Sequence, residues 1–121
     1  MAQAQKTPEE MLPLTPAVFH ILLALADGEK HGYAIMQEVE RLSEGAVNMG
    51  PGTLYGSIKR MLDAGLIIES DDRPDPALDD ERRRYYRLTS FGERVARAEA
   101  ARIARLLQAA QSKRLMGGAS G

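Results

Sequence analysis

The sequence predicts a mainly α chain with one small β-hairpin and a long helix at its C-terminal end. Three observations carry this expectation. Apolar residues recur at helical spacing in three stretches within residues 15–66, each bracketed by Gly or Pro. Two short runs, Leu66-Ile67-Ile68-Glu69-Ser70 and Arg83-Arg84-Tyr85-Tyr86-Arg87-Leu88, flank an acidic stretch broken by Pro74 and Pro76. Beyond them, Phe91, Val95, Ala98, Ile103, Leu106, Leu107 and Ala110 give the remaining chain a mostly apolar side.

Met1 to Leu14 is polar, contains Pro8 and Pro13, and reads as a loosely ordered arm docking through Met11 and Leu12. Thr15-Pro16 starts a helix, with Thr as N-cap and Pro in the first turn. The run from Val18 to Ala26 is apolar on nearly every side, so it is expected to be buried on more than one face, by its own domain and by a second subunit. Asp27-Gly28 ends it. His31-Gly32-Tyr33 opens a second helix. Ile35, Met36, Val39 and Leu42 form its buried stripe, Gln37, Glu38, Glu40 and Arg41 face water, and Gly45 stops it.

Gly50 and Pro51 then break the chain and begin a third helix, because proline fits where a backbone donor would be unpaired anyway. Leu54, Ile58, Met61 and Leu62 form one apolar stripe, and Gly65 suits a left-handed C-terminal residue. The opposite face carries Thr53, Ser57 and Arg60, with Tyr55 and Lys59 on the flank and no carboxylate before Asp63. Such a face lies against a polyanion without repulsion. Two helices joined by a short Gly-containing turn form a helix-turn-helix with the second as reader; a hairpin after it makes a winged helix. In the hairpin, Tyr86 and Leu88 share one face and Tyr85 and Arg87 the other.

Thr89 or Ser90 caps the last helix, with Glu93 three residues after Ser90 completing a capping box. This helix is expected to run to about Leu115, roughly 39 Å. So small a domain cannot cover that length, which calls for a partner. The organisation is thus an arm over 1–14, a winged-helix DNA-binding domain over 15–89, a dimerisation helix over 90–115 and a flexible tail over 116–121.

Composition narrows the function. A chain of 121 residues, 44% hydrophobic, suggests one compact domain with a small core. It has no Cys, hence no disulfide framework and no thiolate metal site, and a reducing compartment is the expectation. Neither a secretory signal nor a bilayer-length apolar run is found, so the expected location is the cytoplasm, with no membrane partner. The net charge is −1, but the charge is uneven. Residues 71–80 hold five Asp and one Arg, residues 81–87 four Arg and one Glu, and from 91 onward Arg and Lys outnumber Glu by six to two. Phosphate contacts are local, so a basic stripe on a neutral protein suffices.

Several pieces together resemble the PadR family of bacterial transcriptional regulators. They are Leu14-Thr15 through Leu25, His31-Gly32-Tyr33-Ala34-Ile35, Gly52-Thr53-Leu54-Tyr55, Leu62-Asp63-Ala64-Gly65-Leu66-Ile67, and Arg84-Tyr85-Tyr86-Arg87-Leu88-Thr89 with Gly92. The resemblance covers roughly residues 14–107, in order. It implies a winged helix, a homodimer held by the C-terminal helix, and repression by operator binding; the single C-terminal helix is similar to the short subgroup. It also implies a small-molecule effector of unknown identity. Some drug-binding members stack planar ligands on a Trp of the last helix, and this chain has no Trp.

The candidate DNA-binding residues are Tyr33, Gly52, Thr53, Tyr55, Ser57, Lys59, Arg60, Arg82, Arg83 and Arg84. For each there is a plainer role: Thr53 as a cap, Tyr55 and Tyr33 as packing, Lys59 and Arg60 as solvated charges, and the wing arginines as partners of the Asp-rich loop. Gly56 either lets the reader helix approach DNA closely or packs against the second helix. The candidate dimer residues are Phe19, Leu22, Val95, Ile103, Leu106 and Leu107. Asp71, Asp72, Asp75, Asp79 and Asp80 lack the central Gly and bidentate Glu of a calcium loop, so a solvated loop is expected. His20 and His31 lack metal-ligand spacing to each other; His20 reads as a satisfied core or interface residue and His31 as a helix-start residue. No metal, cofactor or catalytic constellation is expected. The alternative function is a winged-helix module that binds a protein partner and not DNA.

Overall fold

The computed structural model describes residues 6–70 and 84–116. The order of elements is α1 (Pro16–Leu25), β1 (Lys30–His31), α2 (Gly32–Leu42), α3 (Pro51–Asp63), β2 (Ile67–Ser70), β3 (Tyr85–Leu88) and α4 (Ser90–Ser112), after a short 3-10 turn at Pro8–Met11. The mainly α winged-helix architecture expected from the sequence is present, with one strand more than the hairpin requires. The antiparallel sheet runs β1-β3-β2, so β3 lies in the middle. Ile67 pairs with Leu88 and Ser70 with Tyr85, while on the other edge Lys30 pairs with Tyr86 and His31 with Tyr85.

Local chemistry explains most boundaries. The Thr15 hydroxyl accepts from the Val18 N–H at 3.2 Å and starts α1. The His31 ring accepts from the Ala34 N–H and starts α2. Glu44 and Gly45 both take positive φ after α2, and the Gly45 N–H returns to the Glu40 carbonyl, closing that helix end. Gly50 precedes α3 without a side-chain cap, Pro51 is its first residue, and Gly65, at φ 78°, ends it.

Thr89 caps α4, accepting from the Gly92 N–H at 2.9 Å, so the expected capping box on Ser90 does not form; Glu93 pairs with Arg97 instead. The same Thr89 hydroxyl donates to the Gly65 carbonyl at 2.6 Å, and the Thr89 N–H donates to that of Leu66. One residue therefore joins the end of α3, the start of the sheet and the start of α4. Gly92 completes this joint. A Cβ there would run into the Leu66 carbonyl, whose carbon would lie 2.8 Å away, so the two backbones approach as only glycine allows. At its far end α4 stops at Ser112, short of Leu115, because Arg114 turns left-handed at φ 64° and the Leu115 N–H bonds back to Ala110.

The core is a single cluster. Ile21, Leu22, Ala24 and Leu25 of α1 meet Ile35 and Val39 of α2, Leu54, Ile58 and Met61 of α3, Ile67 and Tyr86 of the sheet, and Phe91 and Val95 of α4. This corrects two interface expectations. Leu22 and Val95 are fully buried by their own chain and leave nothing for a partner to cover. α2, α3, α4 and the sheet pack around the rest of α1, while Leu23 is exposed and Val18 and Phe19 are half-buried. The N-terminal arm is also more built than expected. Thr7 and Glu10 form a reciprocal capping box, and Met11, Leu12 and Leu14 pack on the core.

Candidate nucleic-acid interface

Helix α3, the expected reader, divides into two faces. Leu54, Ser57, Ile58 and Met61 are buried, whereas Gly52, Thr53, Lys59, Arg60 and Asp63 are exposed, with Gly56 half-buried among them. Ser57 is thus removed from the expected DNA-facing set. At ~100° per residue it lies about 40° from Met61 on one side and about 40° from Thr53 on the other. Spacing alone places it on the border, and packing takes it inside. Its hydroxyl accepts from the Arg60 guanidinium at 3.3 Å.

Tyr55 turns toward α2. Its ring and hydroxyl lie against Gly32, where an added Cβ would come within 2.8 Å of the ring carbon bearing the hydroxyl. The two sequence signatures, His31-Gly32-Tyr33 and Thr53-Leu54-Tyr55, therefore touch: Gly32 is the socket and Tyr55 the wedge that spaces the two helices. Gly56 has no such neighbour. The nearest heavy atom to a Cβ there is Nη1 of Arg60, at 3.8 Å, and nothing of α2 comes within 4 Å. Close packing against the second helix is ruled out as the reason for this glycine.

Tyr33, in the first turn of α2, is 55% exposed. Its ring runs nearly parallel to that of His31 at 6.5 Å, and His31 meets Tyr85 of the wing edge-on at 5.4 Å. Arg84 is exposed at the base of the wing, with its Nε 3.3 Å from a Glu69 carboxylate oxygen on the neighbouring strand. Its partner is thus a strand glutamate. Arg82, Arg83 and the five aspartates lie outside the described residues. Lys59 and Arg60 stand on the open face of α3, whereas Lys30, Arg41 and Arg84 each have a local carboxylate. Lys30 reaches Asp27 at 2.6 Å and holds that carboxyl below its ordinary range. Arg41 does the same to Glu38.

Sequence reasoning missed one polar group away from this face. Glu99, on α4, is 1% exposed. It accepts from Arg102 through both oxygens, at 2.6 and 2.9 Å, and from the Leu14 N–H at 3.1 Å. The Arg102 guanidinium, more than the Leu14 amide, holds the carboxyl below its ordinary range against the opposing effect of burial. Of the expected dimer residues, Phe19 is half-buried and Ile103, Leu106 and Leu107 are exposed. Among the described residues, no helix is long and apolar enough to cross a membrane.

A chain built this way has clear relatives. A transcriptional regulator of Mycobacterium tuberculosis, Rv3488, is 40% identical over 73 residues, which are 60% of this chain and 62% of that protein. An uncharacterised 37.1 kDa protein of a Streptomyces fradiae transposon is 37% identical over 86 residues, 71% of this chain and 22% of the relative. The chain therefore spans less than two thirds of the length of either. Bacillus subtilis PadR, solved in complex with operator DNA, superposes with a TM-score of 0.60 at 22% identity, over 71% of this chain and 46% of that one. That likeness establishes the shared fold. The profile of the transcriptional regulator PadR-like family matches residues 21–98, from the middle of α1 to the buried half of α4, and the chain belongs to that family.

Proposed function

We propose that this protein binds operator DNA as a homodimer and represses transcription, with α3 entering the major groove. The observation that carries the reading is the open face of α3. Exposed Gly52, Thr53, Lys59 and Arg60, with half-buried Gly56 among them, form one stripe of small, hydroxylated and cationic residues, with no carboxylate before Asp63. Tyr33 and Arg84 flank it from α2 and the wing, and Arg82 and Arg83 are proposed to extend the wing contact. Tyr55 acts here through the spacing of α2 and α3. Thr53 offers a short donor and acceptor, and Gly56 lets the helix backbone approach the groove. Two such helices related by a dimer axis reach half-sites about 34 Å apart, or a multiple of it. Ile103, Leu106 and Leu107, exposed on α4, supply the proposed dimer face, with Phe19 at its edge. A small-molecule effector is part of the proposal on the ground of family membership alone.

The test is Gly56→Leu, measured on a duplex carrying the sequence upstream of the protein's own gene. An added Cβ meets only the Arg60 side chain, at an ordinary 3.8 Å, and a helical Gly is roughly 1 kcal/mol less favourable than Ala, so the variant should melt no lower than wild type. Binding should nevertheless be lost. Lys59→Ala and Arg60→Ala should weaken binding on all sequences alike and flatten the dependence of log K on log salt by about 0.9 for each phosphate contact removed. Wild-type affinity in Gly56→Leu, with no salt dependence in the wild type, would favour a module that binds protein.

A further inference from the structure

The N-terminus of α2 is held by an imidazole. The Ala34 N–H donates to Nδ1 of His31 at 3.1 Å, where most helices use Ser, Thr, Asp or Asn. This cap requires a free lone pair on Nδ1. An imidazolium has none, and its charge would face the positive end of the helix. The same ring is the middle of a short aromatic row, with Tyr85 of the wing edge-on to one side and Tyr33 near-parallel on the other. As part of β1 it also pairs with Tyr85 in the sheet. Cap, wing and exposed tyrosine thus share one titratable side chain.

We propose that neutral His31 is a positioning residue for DNA binding: it fixes the first turn of α2, and Tyr33 with it, and protonation releases both. The proposal rests on the reading of α3 and its flanks as the DNA face. The ionisable groups on this segment and on the elements packed against it are Tyr33 of α2, Tyr85, Tyr86 and Arg87 of β3, Tyr55 of α3, whose hydroxyl lies against Gly32, and, beside the ring in sequence, Glu29 and Lys30. Lys30 is engaged by Asp27, and Arg84, next to Tyr85, by Glu69. The direction follows from the cap. The arrangement that binds DNA contains neutral His31, so affinity is greatest with the ring neutral and falls as acid protonates it.

The experiment uses the full chain and the duplex upstream of its own gene, with the pH varied from about 8 to 5, for wild type and His31→Asn. Asparagine caps a helix as well as any residue and does not titrate there, and both proteins keep His20. The Ala34 amide is followed by NMR in parallel. The expected result is a wild-type affinity that falls about fivefold, the equilibrium equivalent of the ~1 kcal/mol an N-cap contributes. That fall should track the Ala34 amide, whereas His31→Asn keeps its affinity throughout. A wild-type affinity that rises in acid, with a steeper salt dependence, would make His31⁺ a phosphate contact and overturn the proposal. Equal pH profiles for the two proteins would overturn it too. No binding by either protein at any pH, with the Ala34 amide still following His31, would instead overturn the DNA reading and with it the link from this cap to binding.

Discussion

The two halves of α4 are built from similar residues and meet different fates. In the first half, Phe91, Gly92, Val95 and Glu99 are buried, the last a carboxylate. In the second, Ile103, Leu106 and Leu107 are 38%, 57% and 45% exposed, although they are the more apolar set. Helical spacing does not distinguish the halves. What differs is cover: α1, β3 and the N-terminal turn pack on α4, and the side chains they bury are those of its first half. Burial here is decided by the neighbours available, and side-chain polarity decides only what must then be arranged. Glu99 can be inside because Arg102 and the Leu14 amide satisfy it.

The comparison breaks most severely at Gly92. Gly92→Ala places a Cβ against the Leu66 backbone carbonyl, which has no rotamer to yield, and should destabilise the protein by about 3 kcal/mol or more in urea unfolding. A small effect would mean that the covered half is held elsewhere than at the joint with the sheet.

Next in size is Glu99→Ala. It removes three hydrogen bonds and leaves the Leu14 N–H unpaired, while the half-exposed Arg102 regains water, so about 2 kcal/mol is expected at neutral pH. The effect carries a pH signature. The folded carboxyl titrates below the 4.5 of a free glutamate. Its stabilisation is therefore complete above about that value and is lost as pH falls through the lower folded one. The stability gap between wild type and Glu99→Gln should be full at neutral pH and should narrow in acid; a gap independent of pH would remove the ionised carboxylate from the account.

The smallest effect on the chain's own fold is expected at Leu106. Leu106→Glu should alter the stability of the single chain by no more than about 0.5 kcal/mol, since the residue is already in solvent there. It should abolish the dimer proposed on this face, as read by sedimentation. A variant that still sediments as a dimer would place the interface elsewhere.

These residues also mark what was legible in the sequence. The bounds of α3 were, because Gly50-Pro51 and Gly65 write them in backbone chemistry. So were the stripe of α3, that of α2 except for Leu42, which is exposed at the helix end, and the alternation of the wing, which follow from local periods. The strand β1 was not, since two residues at a sheet edge carry no period and exist only through pairing with Tyr85 and Tyr86. Ser57 sat on a helical border that only packing resolves. Leu22 and Val95 looked ready for a partner because a sequence shows that a residue is apolar, not who covers it. Glu99 gave no warning at all: a glutamate in a helix reads as solvated, and the Leu14 amide that contradicts this is 85 residues away.

Thr89 has a mechanical meaning. α4 is about 35 Å long at the standard rise, and at its start the Thr89 hydroxyl bonds to the Gly65 carbonyl just past the end of α3. Such a helix is a lever with its fulcrum at the reader helix. A tilt of about 5° at Thr89 sweeps the far end through roughly 3 Å over that length. Conversely, whatever grips Leu106 and Leu107 holds the long arm, and small displacements there arrive at Gly65 scaled down, as fine adjustments of how α3 is presented.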